Sequence, residues 1–235
     1  MRHLKALVKQ TFPDVIIFLT QLKARKLKNK PIDKIFVEIY TKNTWKSPLS
    51  RSGTGSELLQ TSTIQQAIPI IIEQLNIQVV VDAPCGDFHW MKEVKLDVLK
   101  YIGVDIVPIL INENHKRYSN DKREFLVKNI ISDPLPISDL IICRDCLVHL
   151  SFEDAIKSLK NFKQSGAKYL MTTTFIDCQI NRDIITGNWR PLNLELPPFN
   201  FPKPIKLINE KCTEGSGTFS DKSLGIWDLQ SFEIK

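Results

Sequence analysis

Beyond residue 77, short β-branched runs alternate with amphipathic segments, and this alternation constrains the fold more than any other feature of the chain. A parallel strand that is buried on both faces reads as an almost continuous apolar run. Strands alternating with helices build βαβ units, so the pattern predicts a doubly wound α/β sheet. The predicted strands are 77–82, 99–105, 124–128, 139–144 and 168–175, with helices at 87–95, 107–118 and 152–164.

The two ends of the chain complete this prediction. Residues 204–211 and 223–232 read as an antiparallel pair joined by the Gly/Ser-rich stretch 213–218, which gives a Rossmann-like, mostly parallel sheet of seven strands. Upstream, the pattern indicates helices at 31–41 and 57–75, the second capped by Ser56. We therefore predict an α/β domain over 35–235 with helices on both faces, preceded by a helical extension over 1–34 that breaks at 12–14.

Charge is unevenly distributed between these two parts. Residues 1–34 carry a net charge of +7, so the remainder carries −1 of the total of +6. An enzyme of nucleic acids usually concentrates basic side chains around its active site, and this body does not, so no nucleic-acid partner is expected. The basic arm is a solvated helix face, or else it contacts an anionic membrane surface or a partner protein.

Composition bears on the compartment. Apolar residues make up 43% of the 235 residues, and no run reaches the roughly 18 apolar residues of a membrane span. The first residues lack the apolar core of a secretory leader, and five cysteines stand at no disulfide-like spacing. These features predict a cytoplasmic protein without a transmembrane segment.

Carboxylates stand where the first two strands end. Asp82 is followed by Ala-Pro-Cys-Gly86-Asp87, and Asp105 ends the second strand. In an open α/β sheet this edge binds ligands, and a carboxylate after the second strand can accept both ribose hydroxyls of an adenosine cofactor. A dinucleotide normally requires G-x-G-x-x-G, whereas this turn has one glycine, and Asp87 would repel a pyrophosphate. The charges favour a cationic cofactor such as S-adenosylmethionine (SAM), with a nicotinamide cofactor as the alternative.

Asp82, the Pro-Cys-Gly turn and Gly-Val-Asp105 resemble the first two motifs of class I SAM-dependent methyltransferases, over about residues 36–232. Where the commonest family pattern has glycines, this chain has Pro84 and Phe88. The resemblance implies that Asn129 accepts the adenine amino group, with Asp133 as the neighbouring alternative. The implied cofactor-binding residues are Asp82, Pro84, Cys85, Gly86, Asp87, Asp105, Ile106, Asn129, Ile130 and Arg144.

A narrower set consists of Ile39-Tyr40, Trp45, 52–56, 82–88, 144–149, 189–193 and 198–202. This set resembles small bacterial and chlorovirus methyltransferases, some fused to or encoded beside glycosyltransferases. The resemblance implies a sugar or glycan acceptor, rhamnose-like in the chlorovirus example, and a glycosyltransferase as a possible partner.

Methyl transfer to a hydroxyl requires a base, and the fourth strand leads to two candidates, Asp145 and His149. Their spacing of four places them on one face if a helix starts there. As alternatives, Asp145 caps a turn or holds Arg144, and His149 is a packing residue. Cys143, Cys146 and His149 resemble part of a zinc site, but a fourth ligand is missing, so no metal is predicted.

Two loops are predicted to bind the acceptor. The loop 176–202 is long enough to be functional, and loop 45–56 is expected to close over the cofactor as a lid. As alternatives, loop 176–202 is a surface loop anchored in the core, and loop 45–56 simply connects two helices. The predicted substrate-binding residues are Trp45, Ser52, Trp189, Arg190 and Asn193, with Asp221, Lys222 and Trp227 as weaker candidates.

The leading hypothesis is thus a SAM-dependent O-methyltransferase that acts on a sugar hydroxyl. The alternatives are a methyltransferase for another small molecule or for RNA, a nicotinamide-dependent oxidoreductase, and a binding module that keeps the fold without catalysis.

Overall fold

The computed structural model describes residues 27–234, and the predicted break at 12–14 and most of the basic arm lie outside them. The domain division at residue 35 stays a prediction. The elements are α1 (Ile32–Lys42), α2 (Leu58–Gln74), β1 (Val79–Asp82), β2 (Lys100–Asp105), α3 (Pro108–Tyr118), β3 (Arg123–Val127), β4 (Leu140–Cys143), α4 (Phe152–Gln164), β5 (Tyr169–Phe175), β6 (Lys206–Asn209) and β7 (Lys222–Asp228).

These strands form one seven-stranded sheet in the order β3-β2-β1-β4-β5-β7-β6. The first five strands along the chain pair in parallel, and β7 is antiparallel to both β5 and β6. The prediction of a Rossmann-like, mostly parallel sheet is therefore confirmed. The strand order reverses between β1 and β4, which is where an open α/β sheet leaves a crevice for ligands.

Alternating side chains of the strands build two apolar layers. In β4, Leu140 and Ile142 pack on one face of the sheet, while Ile141 and Cys143 pack on the other. Helices α2 and α3 cover the first face and α4 covers the second. Because both faces are buried, β4 is apolar at every position, as the sequence pattern predicted, whereas β5 also buries the threonines at 172–174.

Two local predictions are wrong. Residues 87–95 do not form a helix, because Gly86 and Phe88 have φ of 54° and 57°, which a right-handed helix does not allow. Only the single 3₁₀ turn Met91–Glu93 follows. Ser56 does not cap α2 either, because it ends the 3₁₀ turn Thr54–Ser56 and Glu57 becomes the cap residue, without a side-chain cap.

Among residues 27–234, no helix is both long and apolar enough to cross a membrane.

Candidate functional site

A cavity of about 420 Å³ opens at the carboxyl ends of β1, β2 and β4. Helix α1 and loop 45–56, from the N-terminal part of the chain, contribute to its wall. The β6–β7 connection, from the C-terminal part, contributes as well. All ten residues predicted to bind the cofactor line this cavity, together with Asp145, His149, Trp45, Ser52 and Trp189. The sheet edge thus brings together segments separated by more than 150 residues in the sequence.

Asp82 lies in the cavity wall, where β1 ends. It is almost fully buried and accepts a hydrogen bond of 2.6 Å from the Tyr101 hydroxyl. Burial raises the pKa of Asp82 to about 7, although the bond from Tyr101 partly offsets this effect. A cationic ligand would favour the ionised form of this carboxyl group.

Asp105 joins the two turns that follow β1 and β2. Its Oδ2 accepts a hydrogen bond from the Gly86 amide at 3.2 Å, and its Oδ1 accepts one from the Val107 amide at 3.0 Å. Burial raises the pKa of Asp105 to about 6, and the backbone donors partly offset the shift. Each oxygen keeps a second acceptor position, which suits the paired hydroxyls of a ribose.

Asp87 accepts hydrogen bonds from loop 45–56 at both of its oxygens. Its Oδ1 accepts hydrogen bonds from the Ser50 and Ser52 hydroxyls at 3.0 and 3.1 Å, and its Oδ2 accepts one from the Arg51 amide at 2.7 Å. The Ser52 hydroxyl in turn accepts a bond of 2.9 Å from the Asp87 amide. Asp87 and Ser52 therefore fasten the loop to the turn after β1.

Gly86 lets this loop approach the turn, which leads to a stability prediction. A Cβ at Gly86 would lie 2.2 Å from the Ser52 hydroxyl oxygen, at a φ of 54°. Gly86→Ala is expected to lower the free energy of unfolding by about 2–3 kcal/mol in urea titrations, from backbone strain and the displaced loop.

The matched control is Gly166→Ala. Gly166 also has a positive φ, of 82°, but nothing lies within 4 Å of a Cβ built there. Gly166→Ala should therefore lower the free energy of unfolding by the backbone strain alone, about 1–2 kcal/mol. Equal losses for the two variants would show that the contact with Ser52 does not constrain Gly86.

The region after β3 lies at the other end of the cavity. The Asn129 Oδ1 accepts a hydrogen bond from the Ile131 amide at 3.0 Å and keeps one further acceptor position. Asp133 caps the Asn129 amide at 2.9 Å and does not line the cavity. The geometry therefore favours Asn129 over Asp133 for contact with a ligand.

His149 presents an unprotonated ring nitrogen. Its Nδ1 lies 2.7 Å from the Asn188 carbonyl oxygen, and because a carbonyl only accepts, Nδ1 carries the hydrogen. Nε2 is then a free acceptor. Burial lowers the pKa of His149 to about 4, so the ring is neutral at physiological pH. A neutral imidazole with a fixed tautomer is a suitable proton acceptor.

Asp145 is held in an ion cluster. Its Oδ2 lies 2.5 Å from the Lys222 Nζ and 3.3 Å from the Arg144 guanidinium. Burial alone would raise the pKa of Asp145, but these two cations outweigh it and hold the pKa well below its usual range. Such a carboxylate is a weak proton acceptor, so the geometry favours His149 as the base.

Arg144 pairs mainly with Glu210, which follows β6. Its Nη2 lies 2.6 Å from the Glu210 carboxylate and donates to the Gly55 carbonyl at 2.9 Å.

Asp145 has a φ of 53°, so Asp145 and His149 do not share an α-helical face, contrary to the prediction from their spacing. His149 ends the 3₁₀ turn Leu147–His149, and Asp145 precedes that turn.

Aromatic side chains form the wall beside His149. The Trp45 ring lies 4.9 Å from the His149 ring between centroids, and Trp189 packs against Phe219 at 4.9 Å and against Phe175 at 6.0 Å. Trp189 remains 39% exposed and lines the cavity. Because Trp189 meets Phe219 and Phe175 edge to face, its ring is the exposed aromatic surface of this wall.

Arg190 and Asn193 are not part of the cavity wall. Arg190 is 2% exposed and donates to the Leu147 carbonyl at 2.7 Å and to the Arg182 carbonyl at 3.2 Å. The Asn193 side chain bonds to the backbone of loop 176–202. The structure therefore places both predicted substrate-binding residues where they hold the loop together, and only Trp189 of the three faces the cavity.

Several residues of the site were not singled out by sequence reasoning. Glu214, Phe175 and Phe219 line the cavity, and Lys222, only a weak candidate, is central to the ion cluster. Trp227 is a core residue, and Asp221 bonds to the Asp177 amide. The only local signal for Glu214 was its position in the Gly/Ser-rich stretch 213–218.

Within residues 27–234, no three His, Cys, Asp or Glu side chains are grouped so that they would hold a metal ion.

Comparison with known proteins supports the fold. No family model and no curated protein matches the chain. Among solved structures it is similar to human N-acetylserotonin methyltransferase in complex with SAM, at 14% identity and a TM-score of 0.57, over 84% of this chain and 59% of that one. It is also similar to the N-methyltransferase NodS from Bradyrhizobium japonicum WM9, at 11% identity and a TM-score of 0.54, over 74% of this chain and 98% of that one.

These similarities and the sheet order define the fold of this chain as the Rossmann-like fold of SAM-dependent methyltransferases. The chain spans 59% of the length of the human enzyme. At 11% and 14% identity the similarity concerns the fold alone.

Proposed function

We propose that the chain, with residues 35–235 as its catalytic domain, is a SAM-dependent O-methyltransferase. The observation that carries this proposal is the pair of buried carboxylates, Asp82 and Asp105, at the reversal of strand order. Asp105 suits the ribose hydroxyls and Asp82 suits the positive charge of the cofactor. Asn129 is available to the adenine, since its side-chain oxygen keeps an acceptor position.

The geometry disfavours a nicotinamide cofactor. A pyrophosphate needs the bare amides of a helix N-terminus, whereas residues 83–90 form turns without an α-helix. Asp87 adds a carboxylate at the same place. A dinucleotide would meet negative charge where it needs amide donors.

The reaction that this site suits is an in-line displacement. The bound cofactor supplies an electrophilic methyl group. Bound SAM would give its methyl group to the acceptor oxygen with S-adenosylhomocysteine (SAH) as the leaving group, and the His149 Nε2 is placed to take the hydroxyl proton. The products are a methyl ether and SAH. Asp145 stays ionised and stabilises the imidazolium that forms.

For the acceptor we propose a sugar hydroxyl, on a rhamnose-like residue of a glycan that a cytoplasmic glycosyltransferase has made. The wall of Trp45, Trp189 and Phe219 supports this class, because the apolar face of a sugar stacks on aromatic rings. The resemblance to glycosyltransferase-associated methyltransferases points the same way. Another small hydroxylated molecule is the second candidate.

Calorimetric titration with SAM, SAH and NAD tests the cofactor. We expect binding of SAM and SAH but not of NAD. Transfer of a labelled methyl group to a panel of acceptors, beginning with rhamnose-containing glycosides, then tests the acceptor. A protein that binds NAD and ignores SAM would overturn the proposed cofactor, and methylation of RNA alone would overturn the proposed acceptor.

Trp189→Ala tests the aromatic wall. Removing the ring should raise KM for the glycoside about tenfold while leaving SAM affinity unchanged, because the stacking surface is lost on the acceptor side only. Ile137→Ala is the control, since Ile137 is 84% exposed and does not line the cavity. If Trp189→Ala leaves KM unchanged, the acceptor does not stack on this wall.

Cofactor affinity should rise with pH. Below about pH 7 the carboxyl group of Asp82 takes up a proton, and below about pH 6 that of Asp105 does so too. The neutral forms no longer attract a cation, so SAM affinity falls by at most about tenfold per pH unit below each pKa. Calorimetry between about pH 5.5 and 8 measures this, and Asp82→Asn should remove the step near pH 7. Equal affinity across that range would contradict the assignment.

A further inference from the structure

We propose that Arg51 binds the carboxylate of the cofactor's amino-acid tail and that Asp87 is the positioning residue that holds Arg51 there. This inference rests on the proposed function, and it gives Asp87 a role different from direct contact with the cofactor.

The turn after β1 is rich in negative charge. Asp82 and Asp105 are both at most 7% exposed at the cavity, and Asp87 lies between them in the sequence. These groups attract the ammonium and the sulfonium of the cofactor, but they repel its carboxylate. The carboxylate therefore needs a cation in the same part of the cavity.

Four Lys and Arg residues within residues 27–234 line the cavity, and they differ in whether an acidic side chain already pairs with them. Arg144 is paired with Glu210 and Asp145, and Lys222 is paired with Asp145. Lys128 follows β3, at the end next to Asn129. Arg51 remains, and its guanidinium makes no salt bridge with any of residues 27–234.

Asp87 determines where Arg51 lies. The Asp87 carboxylate accepts from the amide of Arg51 and from the hydroxyls of both neighbours, Ser50 and Ser52. The Arg51 backbone is thus fixed against the turn that contains Gly86. Its positive charge also acts on the hydroxyl of Tyr40 in the cavity wall, whose pKa burial raises to about 12. Arg51 and Tyr40 both line the cavity beside the turn that contains Gly86.

The far end of the loop is fastened as well. The Thr54 hydroxyl donates to Glu214 at 2.5 Å, and the Gly55 carbonyl accepts from Arg144 at 2.9 Å. Loop 45–56 is therefore held on both sides of the cavity. A bidentate guanidinium–carboxylate pair formed there would link the loop directly to the cofactor.

The test compares two ligands. SAH carries the amino-acid tail, whereas 5′-methylthioadenosine shares its adenosine and thioether but lacks the tail. Arg51→Met should weaken SAH binding about tenfold to a hundredfold in calorimetry and change 5′-methylthioadenosine binding by less than about twofold. Arg51→Lys should restore part of the loss, because it keeps the charge without the planar fork. Lys46→Met, an exposed cation of the same loop outside the cavity wall, is the control and should affect neither ligand.

The positioning role of Asp87 has its own variants. Asp87→Asn and the double variant Ser50→Ala/Ser52→Ala both loosen the loop, and the double variant does so without changing any charge. Both should reduce the preference for SAH over 5′-methylthioadenosine, and melting temperatures measured alongside identify a variant that has lost its fold. A double variant that keeps the full preference would overturn the positioning role.

The outcomes separate this inference from the proposed function. If the unmodified protein binds SAH and Arg51→Met weakens both ligands equally, or neither, only the inference on Arg51 fails. If the unmodified protein binds neither ligand, the proposed function and the inference fail together.

Discussion

Asp105→Ala is expected to bind SAM at least about 100-fold more weakly than the unmodified protein. The change removes a carboxylate whose two oxygens would each accept a hydrogen bond from a ribose hydroxyl, and bonds to a charged group contribute about 1.5–3 kcal/mol each. Calorimetric titration with SAM and SAH measures the loss. The effect should be as large for SAH, because the ribose is the same in both.

Asp105 also supports the backbone, and a matched control separates that role. Asp139 accepts hydrogen bonds from the Gln78 and Val79 amides at 2.8 Å each, but it precedes β4 at the opposite edge of the sheet. Asp139→Ala therefore removes two backbone contacts without touching the cavity. If both variants lose stability but only Asp105→Ala loses affinity, the ribose assignment holds. An Asp105→Ala protein with unchanged affinity would refute it.

His149→Gln is expected to lower kcat by about 10²–10⁴-fold with SAM affinity within about twofold. The glutamine amide can still donate to the Asn188 carbonyl, but it cannot take a proton from the acceptor. Initial rates at saturating SAM measure the effect. Because the pKa of His149 is about 4, the rate of the unmodified enzyme should stay level above about pH 5 and fall only below it.

Asp145→Asn distinguishes the two candidate bases. It removes the partner of Lys222 and Arg144 while leaving the His149 ring in place. We expect a smaller loss of kcat than for His149→Gln, since Asp145 would stabilise the imidazolium rather than accept the proton. If Asp145→Asn abolishes turnover and His149→Gln does not, the roles are reversed.

The sheet and the cofactor turn were predictable because their signals are local. β1 and β4 are short apolar runs, and parallel strands bring their carboxyl ends to one edge, so Asp82 and Asp105 were expected to meet near the point where strand order reverses. The residues that directly follow those strands therefore lie at the same edge of the sheet. This is why all ten predicted cofactor residues line the cavity.

The predictions that failed concern backbone conformation and side-chain partners. Phe88 takes a left-handed conformation because its ring is buried among Tyr101, Tyr118 and Phe125, and this burial ends the expected helix. Arg190 looked like a residue for a polar ligand. Its guanidinium instead satisfies backbone carbonyls in a buried loop, which residue type alone does not reveal.

The sequence by itself determined the class of fold and the two carboxylates at the sheet edge, since both follow from periodicity and from strand ends. Only the tertiary structure decided which groups are free. It paired Asp145 with Lys222 across 77 residues and Arg144 with Glu210 across 66. It bound Asp87 to loop 45–56. It left the His149 Nε2 and the Arg51 guanidinium in the cavity wall without a hydrogen-bond or salt-bridge partner within the described residues. The physical reason is that a side chain can bind a ligand only with the charge and the donor or acceptor positions that residues distant in sequence do not already occupy.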